Sequence, residues 1–92
     1  DAAEAEKIGL VNRVVPQDEL KKVTYAFAER LAKGPPIAYG FIKSMVYKSE
    51  HLDLLTYLDA EAAAQTICTQ TGDAKEGVWA FIEKREAKFK GE

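Results

Sequence analysis

Apolar residues recur at helical spacing along most of the chain, and Gly and Pro cut the pattern into segments. Residues 1–8 read as a short helix: Asp1 caps it, Glu4 lies near its positive end, and Gly9 is a good stop. Residues 10–15 carry Val11, Val14 and Val15 in an extended run that Pro16 ends. One isolated strand cannot form a sheet, so this run is a strand without its partner or an extended connector. Leu20, Val23, Phe27 and Leu31, with Ala28 beside them, predict a helix over residues 18–33. Asp18 and Glu19 begin it and Arg30 and Lys33 end it, which complements the helix dipole.

Gly34-Pro35-Pro36 is a hard stop that also supplies a Pro suited to a first helical turn. Ala38, Phe41, Ile42, Met45 and Ser49 then define one face of a helix over residues 36–50. A fourth helix, over residues 53–70, is capped by Asp53, with Leu54, Leu55, Leu58, Ala62 and Ala63 as its apolar side. The small residues Ala60, Ala62, Ala63 and Ala64 would let another helix approach closely. Thr71-Gly72 breaks the pattern, and Asp73-Ala74-Lys75-Glu76 resembles a capping box. The last helix runs to about Glu86, with Val78, Phe81, Ile82 and Arg85 on one side. Gly77 inside it costs about 1 kcal/mol relative to Ala, so a close backbone approach is expected there.

The fold class is therefore all-α, about five helices with one short extended segment. Two regions are expected: residues 1–16 as a connector helix and extended segment, and residues 17–92 as a helical domain. With 92 residues the chain is one small domain or a piece of a larger one. Asp rather than Met at position 1 points to a piece. The acidic start lacks the apolar stretch of a signal peptide, so a cytoplasmic location is expected, or the mitochondrial matrix in a eukaryote.

Composition narrows the function classes. Hydrophobic residues at 47% and charged residues at 30% exclude disorder, and no apolar run approaches the length of a membrane helix. Thirteen Lys and Arg against fifteen Asp and Glu give a net charge of −2, which argues against nonspecific nucleic-acid binding. One cysteine and one histidine exclude a disulfide framework and leave no metal site to expect.

Catalytic signatures are missing: there is no phosphate loop, no H-E-x-x-H and no G-x-S-x-G. His51, beside Glu50 and near Asp53, could do acid–base work, but an exposed helix-end histidine is the plainer reading. Cys68 has no nearby cation to lower its pKa and reads as a buried structural cysteine rather than a nucleophile. Asp59 with Glu61, and Glu83 with Glu86, read as solvated carboxylates. The segment from Trp79 to Lys90 places Phe81 and Phe89 beside Lys84, Arg85, Lys88 and Lys90. Such a surface could stack a nucleotide base and neutralise a phosphate. Core packing for Phe81 and Phe89, with solvated lysines, fits the spacing equally well, and Glu83, Glu86 and Glu92 offset most of the positive charge.

Three blocks carry a family resemblance. The first is Ala2, Ala5, Gly9-Leu10-Val11-Asn12 and Val14-Val15-Pro16. The second is Gly34-Pro35-Pro36-Ile37-Ala38 with Lys43. The third is Glu61 and Gln65, then Asp73, Glu76-Gly77, Ala80-Phe81, Glu83-Lys84-Arg85, Phe89 and Gly91. In order and spacing they resemble the carboxyl-terminal part of the enoyl-CoA hydratase/isomerase (crotonase) superfamily. Ala87 stands where many members have Pro, and Gln65 where some place an aromatic residue.

The resemblance implies a helical trimerisation region that covers an active site held in a preceding domain. That domain would carry the oxyanion-hole amides and, in hydratases, two glutamates. No catalytic residue and no metal ligand is then expected in this chain, and the chain alone would be inactive. The expected substrate-binding positions are Phe81, against the adenine, and Lys84, near the phosphates, of a coenzyme A bound by a neighbouring subunit. The thioester is the substrate, with no further cofactor. Expected partners are an acyl-CoA and further copies of the chain, as a trimer or a dimer of trimers, with no nucleic acid and no membrane. The alternative is a stand-alone helical acyl-CoA-binding or protein-interaction module. Tyr39-Gly40-Phe41-Ile42-Lys43 echoes the Y-G-x-Y-K motif of acyl-CoA-binding four-helix proteins, with Ile42 in place of the second Tyr.

Overall fold

A computed structural model describes residues 1–92 as five helices and no strand. They are α1 (Ala2–Lys7), α2 (Leu20–Ala32), α3 (Pro36–Ser49), α4 (Leu54–Thr69) and α5 (Gly72–Glu83). The chain groups into two compact units, Asp1–Leu31 and Ala32–Glu92. Within the first unit, α2 shares a small cleft with Asn12, Arg13 and Val15 of the connector that precedes it.

In the first unit Asp1 caps α1 by accepting the N–H of Glu4 at 2.8 Å. Gly9, at φ +75°, reverses the chain where a side chain would be strained. Residues 10–16 form no strand: bends follow Gly9, and the Glu6 carboxylate accepts the N–H of Val14 at 3.1 Å. With no second strand to take its backbone groups, the valine run is a connector. Residues 17–19 make a turn, so α2 begins at Leu20 rather than Asp18. Lys21 lies over the Tyr25 ring at 6.0 Å and Arg30 over the Phe27 ring at 5.0 Å.

In the second unit α4 packs against both α3 and α5. Pro35 precedes α3 in an extended conformation and Pro36 fills its first position, as the Gly-Pro-Pro sequence predicts. Asp53 caps α4, accepting the N–H groups of Leu55 and Thr56 at 3.1 Å and the Thr56 hydroxyl at 2.6 Å. That hydroxyl bond is the main reason its carboxyl sits below the usual range.

The buried apolar residues are few: Met45 on α3, Ala64 on α4 and Ala80 on α5. The side of α4 that packs is Tyr57, Ala60, Ala64 and Cys68, not the expected Leu54, Leu55, Leu58, Ala62 and Ala63, which are exposed. Apolar residues lie all round this helix, so the pattern marks no single face. Of the four alanines, Ala64 is buried and Ala60 half-buried, while Ala62 and Ala63 are exposed. On α3, Met45 is buried, Ala38 and Phe41 are half-buried, and Ile42 and Ser49 are exposed.

Candidate functional site

Thr71, not Asp73, caps α5: its hydroxyl accepts the N–H of Ala74 at 3.1 Å. The capping box is not formed, because both of its acidic residues turn to the chain beyond the helix. Asp73, with 4% of its surface exposed, accepts the N–H of Lys90 at 2.7 Å and of Gly91 at 2.9 Å. Glu76 accepts the N–H of Lys88 at 2.8 Å and takes Arg85 in a two-pronged ion pair, Nη1–Oε1 2.6 Å and Nη2–Oε2 2.8 Å. These bonds lay residues 85–92 back along α5.

Two side-chain fits complete that return. Phe89 lies over Gly77, where an added Cβ would sit 3.6 Å from the ring, an ordinary contact. The neighbour expected at Gly77 is thus an aromatic ring that leaves room for a methyl group, not a backbone that excludes one. Gly91, at φ +79°, packs against Pro36 so closely that a Cβ would approach its Cγ to 2.9 Å.

α5 ends at Glu83, earlier than the expected Glu86, because Lys84 adopts a left-handed conformation at φ 54° and ψ 42°. Its N–H and that of Arg85 then bond back to Phe81 and Ala80. Arg85 therefore leaves the helix and does not share a face with Val78, Phe81 and Ile82. Its Nε also bonds Glu83 at 2.6 Å. The Glu76 carboxyl is held down to about 2, first by the Arg85 hydrogen bonds and then by the Lys88 N–H. Arg85 is in turn held more firmly protonated, chiefly by Glu76.

The two positions expected to bind ligand stand together at this end. Phe81 is 85% exposed, so core packing does not account for its ring. Lys84 follows one turn later, exposed and in no ion pair. Phe89, by contrast, is half-buried on Gly77. An open apolar cleft of about 440 Å³ runs beside Phe81, lined in part by Pro35, Ala38, Cys68, Val78 and Phe89.

Cys68 is half-buried in that cleft wall rather than fully enclosed, because α5 and the returning chain leave the cleft open. His51 is exposed just beyond α3. Glu83 is tied to Arg85 rather than free in solvent. No three of the His, Cys, Asp and Glu side chains converge on one point. No helix is long and apolar enough to cross a membrane. The sequence offered Asp73 and Glu76 only as a capping box and Arg85 only as part of a helix face, not as the groups that hold the returning chain. Their only signal there is the D-x-x-E-G-x-x-A-F-x-E-K-R spacing itself.

Comparison with known proteins places this helical unit in a family. The enoyl-CoA hydratase/isomerase family profile matches residues 1–92, and the chain belongs to that family. It is 37% identical over 89 residues to a crotonyl-CoA hydratase of Syntrophomonas wolfei, covering 97% of this chain and 34% of that protein. It is 37% identical over 91 residues to a trans-2-decenoyl-acyl-carrier-protein isomerase of Streptococcus mutans, covering 99% of this chain and 35% of that protein. The solved structure of an enoyl-CoA hydratase from Bacillus anthracis superposes with a TM-score of 0.91 at 38% identity, over 99% of this chain and 35% of that one. The chain thus spans about a third of the length of the relatives it matches, as the helical C-terminal region of the crotonase fold.

Proposed function

We propose that this chain is the helical part of an enoyl-CoA hydratase, which adds water reversibly to a 2-enoyl-CoA. Within it, Phe81 stacks on the adenine and Lys84 neutralises a phosphate of the coenzyme. The observation that carries this reading is the pair itself: an aromatic ring left in solvent and, one turn on, a cation without a partner. The acid, base and oxyanion groups lie outside these residues, so the chain alone is inactive. Hydration needs those groups and the thioester substrate, and no further cofactor.

The exposed apolar residues of α3, α4 and α5 support a second role, as contacts in a trimer or a dimer of trimers. An exposed apolar area of this kind suits a buried interface better than a free surface.

The test is a titration with crotonyl-CoA that follows Trp79 fluorescence, run on the 92-residue chain and on the whole protein, with hydration assayed in parallel. Hydration and binding by the whole protein, with neither by the chain, is the expected result. Hydration by the chain alone would overturn the assignment of roles. Tight one-to-one binding without hydration in either protein would favour a stand-alone acyl-CoA-binding module.

A further inference from the structure

The left-handed residue at the end of α5 is a lysine, not a glycine, and a conformation of this kind is unfavourable for a residue with a side chain unless its surroundings hold it. The holding group is next to it. Arg85 bonds three carboxylate oxygens, two on Glu76 within the helix and one on Glu83, the residue before Lys84. Its guanidinium bridges the last helical turn to the middle of α5, which fixes the direction of the chain at Lys84. It also holds one oxygen of the Glu83 carboxylate, the anion nearest Lys84 in sequence. Lys84 is left charged, exposed and unpaired.

We propose that Arg85 is a positioning residue for anion recognition: clamped on Glu76 and Glu83, it holds Lys84 in its left-handed turn and keeps Lys84 free for a phosphate. The anion class is the nucleotide phosphate of a CoA thioester, so the inference rests on the reading of Lys84 given above. It adds a residue that touches no ligand.

The test is a double-mutant cycle in the whole protein, with crotonyl-CoA and crotonyl-pantetheine, which lacks the nucleotide, as paired substrates. Lys84→Ala is expected to raise KM for the CoA thioester by about five- to tenfold, the worth of one exposed charge-assisted contact, and to leave kcat and the pantetheine KM unchanged. Arg85→Gln is expected to show the same split. The double variant is expected to be no worse than Lys84→Ala alone, because Arg85 acts only through Lys84. Where Arg85→Gln fails to accumulate as folded protein, Arg85→Lys takes its place, since an ammonium cannot make the planar fork. Additive effects, or equal losses on both substrates, would overturn the positioning role and leave the Lys84 reading standing. No effect of Lys84→Ala on the CoA thioester would overturn both.

Discussion

The buried carboxylate of Asp73 accepts the backbone N–H of Gly91 at 2.9 Å, tying the first turn of α5 to a residue eighteen positions later. The same side chain holds the N–H of Lys90, so one acidic residue fixes the return of the chain. Asp73→Ala is expected to free both amides. Hydrogen exchange at Lys90 and Gly91 should accelerate while α4 amides keep their rates. The cost is about 1.5–3 kcal/mol, typical of hydrogen bonds to a charged acceptor.

Glu76 gives this return a pH dependence. Its folded carboxyl is lowered from 4.5 to about 2, so the contribution is complete above about 4.5 and lost as pH falls toward 2. In an NMR titration the Lys88 amide shift should hold through pH 4 and move only below about pH 3. A Lys88 transition centred near the ordinary glutamate value would refute the clamp. Glu76→Gln should remove the acid limb.

Two half-buried glycines of the second unit, Gly34 and Gly77, should respond in opposite directions. Gly34 lies under the Tyr39 ring, and a Cβ there would overlap the ring atoms. Gly34→Ala is expected to push the exposed Tyr39 ring aside and lose up to about 1 kcal/mol, and adding Tyr39→Ala should recover part of it. Gly77→Ala meets only an ordinary contact with Phe89 and gains helix propensity, so in this chain it should stabilise by up to about 1 kcal/mol. Thermal melts of the three variants decide both.

Helices and stops were legible because they are local: Gly9, Gly34-Pro35-Pro36 and Asp53 act through their own backbone and that of their neighbours. The packed face of α4 was not legible. Leu55 is the more hydrophobic residue and is 74% exposed, while the smaller Ala64 is buried, so apolarity alone does not mark the packed side. Asp73 and Glu76 misled for a related reason. An acidic pair at a helix start satisfies the capping pattern whatever it bonds, and here backbone N–H groups of distant residues compete successfully for both. At the candidate site, spacing left Phe81 and Phe89 equivalent; only the return of the chain over Gly77 separates the half-buried ring from the exposed one.

With Met45, Ala64 and Ala80 as its only buried apolar residues, the second unit removes little hydrocarbon from water when it folds. The heat-capacity change on melting the isolated chain should therefore be small for its length, and its denaturation by urea shallow. The helices carry their own caps, so helical signal should outlast a cooperative calorimetric transition as the isolated chain is heated.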